Sequence, residues 1–356
     1  MLRDMTPEFL ELIDRQYGVV RASQCEAVGL PRQERRTLLK RGVLLELRGG
    51  VVTTGDLWDS ADCRGRHRLH LAGVLLLRGW RPEVVFHNFV GGLRTAAFLH
   101  DLPFQPEADA IEAWKHDRQR TDLDPEAQAV LNEVEQIRRG EGPQHIDLVS
   151  TGRRRTYENR VCTRPAALLP EHIVVYEGLP ITSVARTAVD LMREGTPADA
   201  WIAADGALRR GLQRSDLEAV AAFCAGWANV HQAVDAIAAA NGLAESAAES
   251  LARYVCAECT QVPDPELQVE LFDAFGLIGR VDLFFRRFRV VLEVDGLIKY
   301  TDPWCGDARE ALRLQHEREA RLRRAGWIVI RTTWEELTTD PDGFIRRLLT
   351  AFSQAA

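Results

Sequence analysis

Four charged residues near the C-terminal end have the types and spacing to do chemistry together: Asp282, Glu293, Asp295 and Lys299, in the stretch GRVDLFFRRFRVVLEVDGLIKY (279–300). Two β-prone runs, 281–285 and 290–294, flank an arginine-rich turn and predict a hairpin. The second run is apolar apart from Glu293 and leads into Asp295-Gly296. An unpaired charge in such a strand costs several kcal/mol, so Glu293 must lie at a sheet edge, meet a cation or bind a metal. A tight turn would set Asp282 across from Glu293 or Asp295. Carboxylates that converge repel one another unless a divalent cation joins them, and an oxygen-only donor set suits Mg2+ or Mn2+. The same acids also suit a solvated hairpin edge, and spacing alone leaves both readings open.

The surrounding elements decide whether these residues can meet. Ser246-Ala-Ala-Glu249 opens a helix over 249–259 as a capping box, which gives Glu249 a structural use. A strand over 267–271 precedes the hairpin; a helix over 308–325 and a strand over 327–332 follow it, and a last helix begins near Trp334. The helix between the third and fourth strands is the expected right-handed crossover. This α-β-β-β-α-β order, with Asp282, Glu293-Val-Asp295-Gly296 and Lys299, resembles the PD-(D/E)XK nuclease superfamily over residues 245–340, in particular the group similar to the very-short-patch repair endonuclease.

The resemblance implies a Mg2+- or Mn2+-dependent endonuclease. Asp282 and Glu293 would bind the ion, with Asp295 completing or orienting the site, and Glu249 matches the family's auxiliary acid. Phosphodiester hydrolysis needs an activated water, neutralised charge on the scissile phosphate and a stabilised leaving oxygen. Lys299 would position the water or hold the phosphate, since the superfamily's lysine two positions after the glutamate is Asp295 here, as in the very-short-patch-like group. Arg313, Arg318, Arg321 and Arg324 would meet the DNA backbone as positioning contacts.

The N-terminal stretch carries a second candidate site. Thr6-Pro7-Glu8 signals a helix start, with Phe9, Leu12 and Ile13 as its apolar stripe. A short helix over 22–28 ends at Gly29, and a third over 31–41 stops at Gly42. A hairpin follows, 43–47 and 51–54 around Arg48-Gly49-Gly50. Three short helices and a two-stranded wing describe a winged helix-turn-helix, in which the third helix enters the major groove. Arg32, Arg35, Arg36, Lys40, Arg41 and Arg48 are the candidate DNA contacts, six cations against two glutamates in an otherwise acidic chain. A solvated helix face would look similar. The pattern also resembles the N-terminal domain of the AbiEi-type antitoxins of abortive-infection systems.

Between the two ends, the text reads as helix over 58–77 and 87–102, a long polar loop or insertion over 105–142, and strands over 145–149 and 173–176. Gly152-Arg153-Arg154-Arg155 and Arg160 form a basic cluster suited to a phosphate or to a solvated turn. Thr182-Ser183 caps a helix with Arg186 and Asp190 at i and i+4, and helical text continues to Ala240. FHNFVGGLRTAAFLHDLP and GLPITSVARTAVDLM are similar to segments of the antitoxin-like family. Asn241-Gly242 marks a break.

Composition narrows the class. A chain of 356 residues suggests two or three domains, and an apolar fraction of 46% supports a core in each. The net charge of −7 gives no global attraction to nucleic acid, so binding must use local patches. No apolar run approaches the roughly 20 residues that span a bilayer, and MLRDMTPEF lacks a signal core. Seven scattered cysteines point to reduced thiols; Cys256-Ala-Glu-Cys259 has zinc-ligand spacing, but no second pair completes a site.

These readings combine into a cytoplasmic, non-membrane DNA-binding protein of mixed α/β class. It would hold a winged helix-turn-helix over 1–56, an antitoxin-like α/β scaffold with helical linker over 57–240, and a restriction-endonuclease-like PD-(D/E)XK domain over 241–356. The expected function is metal-dependent hydrolysis of phosphodiester bonds, in defence or DNA repair. The alternative is a non-catalytic, antitoxin-like transcriptional repressor that uses a degenerate nuclease fold. RNA remains open as a substrate. The expected partners are DNA and, from the antitoxin resemblance, a toxin or a second copy.

Overall fold

The computed structural model describes residues 5–84, 88–104, 145–152, 154–295 and 308–355; the polar stretch over 105–142 and Lys299 lie outside them. It is a mixed α/β structure that divides into two compact units, Met1–Leu191 and Met192–Ala356. No helix among the described residues is long and apolar enough to cross a membrane.

The first unit opens with α1 (Pro7–Arg15), capped by the Thr6 hydroxyl, which accepts from Phe9 N at 3.2 Å. Then come β1 (Val20–Arg21), α2 (Ala22–Ala27), α3 (Arg32–Lys40), β2 (Leu44–Arg48) and β3 (Val51–Thr54). The strands form an antiparallel sheet in the order β1-β3-β2, with Val20 opposite Val52. Phe9, Ile13, Cys25, Leu30, Leu38 and Leu44 fill the core beneath it. Strand β1 has only two residues, too few for periodicity to show, and its pairing with β3 defines it.

The expected helix over 58–77 is two helices, α4 (Gly55–Ser60) and α5 (Cys63–Leu77). The Asp62 carboxylate accepts from Gly65 N at 2.7 Å, which starts a new helix there. The expected helix over 87–102 is instead β4 (Phe89–Gly91) followed by α6 (Leu93–His100). Gly92, extended at φ −143°, is the N-cap at which α6 starts, and a Cβ there would lie 2.5 Å from Val149 Cγ2. Strand β4 enters a six-stranded mixed sheet with β5 (Ile146–Ser150), β6 (Thr156–Glu158), β7 (Val161–Pro165), β8 (Ile173–Tyr176) and β9 (Leu179–Thr182), in the order β6-β7-β5-β4-β9-β8. The sequence signalled only β5 and β8 of these.

Two buried ion-pair networks tie this sheet to its helices. Asp147 on β5, fully buried, accepts from Arg94 at 3.3 Å and from Arg164, while its backbone N–H donates to Thr95 Oγ1 at 2.8 Å. Burial opposes ionisation of Asp147, but the two guanidiniums outweigh it and hold the carboxyl below its ordinary range. Arg186, on α7 (Val184–Glu194), is fully buried and donates to Asp190 and to Ala167 O, both at 2.8 Å.

The boundary between the units falls within α7. The second unit begins with α8 (Pro197–Arg209), α9 (Arg214–Phe223) and α10 (Val230–Ala239). Arg253 fastens them to α11 (Ala247–Ala257), donating to Asp205 at 2.5 Å and to Ala239 O at 2.9 Å. A four-stranded sheet follows in the order β10-β11-β12-β13: β10 (Glu266–Asp273), β11 (Gly276–Phe285), β12 (Val290–Asp295) and β13 (Ile328–Thr333). The first three strands are antiparallel, whereas β12 and β13 are parallel, joined through α12 (Ala308–Arg324). One face of the sheet packs Leu283 and Leu292 against Leu251 and Val255 of α11 and against Phe344 and Leu348 of α14 (Pro341–Ala355). The other face packs Phe284 and Val291 against Leu322 of α12. Between β13 and α14 lies α13 (Trp334–Thr339).

Candidate functional site

Pairing between β11 and β12 runs from Phe285↔Val290 to Leu283↔Leu292 and then stops. Beyond that point Asp282 Oδ2 accepts from Val294 N at 2.8 Å, so a side chain takes over where the backbone ladder ends. This places Asp282 beside the end of β12, where Glu293 and Asp295 share one face by strand alternation.

Glu293 meets a cation. Its Oε1 accepts from Arg318 Nη2 on α12 at 2.6 Å, and Arg318 also donates to Arg280 O. Asp295 is held by both arms of Arg331, at 2.8 and 2.5 Å, and Arg331 reaches Glu319 at 3.3 Å. In register β13 sets Arg331 against Glu293, so the parallel strand delivers a guanidinium to the carboxylate end. Arg331 is a site residue that the sequence reading missed. The signal was there: a lone cation in the apolar run Ile328-Val-Ile-Arg331 mirrors the lone acid in β12.

Glu249 is 7% exposed and serves both as cap and as neighbour of Asp282. Its N–H donates to Ser246 Oγ at 3.1 Å, but the reciprocal amide is Glu245 N, 2.9 Å from Oε2, rather than that of the capping serine. Gln268 Nε2 on β10 donates to the same Oε2 at 2.8 Å. Burial, with the nearby Asp282 charge, raises the Glu249 carboxyl above its ordinary range against these hydrogen bonds.

The expected phosphate-contact arginines of α12 are mostly engaged within the unit. Arg313 pairs with Glu317, and Arg324 Nε donates to Ala320 O at 3.3 Å. Arg321 forks onto Asp273 at 3.0 and 2.7 Å and anchors the β10–β11 turn. Cys256 lies buried in α11, and burial pushes its thiol up to about 12, the opposite of a metal-ready thiolate. Among the described residues, no three His, Cys, Asp or Glu side chains are grouped as a metal site.

In the first unit, Arg32, Arg36, Lys40 and Arg41 stand exposed on or beside α3. Arg35 turns inward and donates to Ala22 O at 2.8 Å, bracing α3 against α2. Arg48 is half-buried toward α5; burial, then the Arg160 charge, lowers its guanidinium. Burial, then the Arg48 charge, pushes His70 on α5 down to about 4.

No family model matches the chain. It is similar to two proteins from strains of Mycobacterium tuberculosis, "Uncharacterized protein MT2308" and "Uncharacterized protein Rv2248", at 30% identity over 168 residues in each case. That match covers 47% of this chain and 59% of each relative.

Proposed function

We propose that the second unit hydrolyses phosphodiester bonds of DNA with Mg2+ or Mn2+ held by Asp282 and Glu293, and that the α1–β3 module of the first unit, read as a winged helix, binds the duplex. The observation that carries the reading is Asp282 capping the end of β12 beside Glu293, on a β-β-β-α-β sheet with α11 in front of it. The donor set fits in part. Asp282 and Glu293 are hard oxygen ligands, and Mg2+ commonly takes one or two carboxylates and completes its shell with water and substrate phosphate. Asp295 is committed to Arg331 and fits an orienting role better than a ligand's. When bound, the ion supplies charge neutralisation and an activated water. Asp282 and Glu293 hold it, Arg318 and Arg331 set the charge balance around it, and exposed Arg36 and Lys40 on α3 meet phosphates in the first unit. Such a protein works in the cytoplasm, in defence or repair.

A second reading has its own support. Arg318 and Arg331 already neutralise Glu293 and Asp295, as a repressor with a degenerate nuclease fold would require, with a toxin or a second copy as its partner. One experiment separates the two: supercoiled plasmid, single-stranded DNA and RNA incubated with the protein in Mg2+, Mn2+ or EDTA, beside Glu293→Gln. Metal-dependent cleavage that the variant loses supports the nuclease and names its polymer. Retained DNA binding without cleavage of any substrate supports the repressor.

A further inference from the structure

Gln268 is in the middle of β10, yet its backbone is left-handed, with φ of 53°. For a residue with a Cβ that conformation costs on the order of 1–2 kcal/mol, and a strand interior gives no reason to adopt it. Its neighbours keep normal pairing, Leu267 with Leu283 and Val269 with Val281, so Gln268 stands opposite Asp282. The strain has a beneficiary in Glu249, whose buried carboxylate takes the Gln268 amide at 2.8 Å. Helix capping alone explains neither feature, because the cap is complete with Ser246 and Glu245 N and would work equally well in solvent. Burying one carboxylate beside another is unfavourable, and either a proton or a cation that joins them relieves it.

We infer that Gln268 is a positioning residue, bent out of strand geometry so that its amide holds the Glu249 carboxylate beside Asp282. The inference rests on the metal-dependent reading above and adds a residue to it. Substituting Gly at 268 permits the same backbone without strain and removes the amide; substituting Asn tolerates the backbone but falls one methylene short of Glu249.

The test measures thermal midpoint, Mn2+ affinity by calorimetry and plasmid cleavage for the full chain, Gln268→Gly, Gln268→Asn, Glu249→Gln and the Gln268→Gly/Glu249→Gln double variant. Gln268→Gly relieves the strain but removes a hydrogen bond to a buried carboxylate, so it should melt within about 2 °C of wild type while losing about tenfold in Mn2+ affinity, as partners of metal ligands commonly do. Gln268→Asn should lose affinity similarly with little change in midpoint. In the Glu249→Gln background, Gln268→Gly should add no further loss, because it acts through Glu249. Affinity and cleavage within about twofold of wild type in Gln268→Gly, or full additivity in the double variant, would overturn the role. If the wild-type chain binds no Mn2+ and cleaves nothing, the metal-dependent reading itself falls and the role of Gln268 falls with it; a loss confined to the variants, or its absence there, bears on Gln268 alone.

Discussion

Two arginine–carboxylate pairs, one in each unit, are set in opposite surroundings. In the first, the Arg164 and Asp147 side chains are 10% and 0% exposed, and the pair is one arm of a closed network with Arg94 and Thr95. In the second, Arg318 and Glu293 are 33% and 15% exposed, at the point where β11 and β12 stop pairing. The physics of each pair follows from its solvent. A buried pair cannot open without leaving a naked charge in a low-dielectric core, so it acts as a structural clamp. A half-exposed pair can exchange one partner for water, a phosphate or an ion at modest cost, so it can belong to a working site.

The largest effect should come from breaking the clamp. Arg164→Ala should destabilise the first unit by about 3–5 kcal/mol in chemical denaturation. A loss under about 1 kcal/mol would erase the distinction between the two pairs. Next comes pH. Burial keeps His70 neutral in the folded chain, with its pKa down from 6.5 to about 4, so the unfolded chain takes up the proton first. Stability is therefore whole above 6.5 and declines as the pH falls toward about 4, by about 2 kcal/mol after allowance for solvent. His70→Gln should flatten thermal midpoints across that window; an unchanged slope would mean that another group titrates there.

Arg318→Ala sharpens the comparison from the other side. It should cost only about 1 kcal/mol, and it should raise Mn2+ affinity severalfold by releasing Glu293. A loss as large as that of Arg164→Ala, or an affinity that falls, would mark Glu293–Arg318 as a second clamp. The smallest effect is expected at α3, where Arg36→Ala and Lys40→Ala should each weaken duplex binding a fewfold and lower the salt slope by about one. Arg35→Ala should instead loosen α2 against α3, since its guanidinium is spent on Ala22 O.

Local patterns carried much of the architecture. The capping of α1 by Thr6, the hairpin that becomes β11 and β12, the crossover helix α12 and the i,i+4 pair Arg186–Asp190 all follow from periodicity, turn residues and propensity, which act within a few residues. The requirement that Glu293 find a cation, an edge or a metal also followed from sequence, because one charge in an apolar strand admits few solutions. Which solution was chosen did not. Arg318 and Arg331 come from 25 and 38 residues further along the chain, brought in by a helix packing and a parallel register that no local window contains.

Long-range contact decided the other surprises as well. Strand β4 takes the place of part of an apparent helix because it pairs with β5 and β9, and β1 exists because β3 pairs with it. Gln268 looks like an ordinary strand residue until its backbone is seen bent toward Glu249. Most of the helices, the β11–β12 hairpin and the residues able to do chemistry were legible in the sequence, since those depend on near neighbours and intrinsic side-chain properties, whereas short strands such as β1 and β4 were not. Only the tertiary structure decided which cation each acid meets and where the backbone is strained, because both depend on groups that come together only when the sheets form.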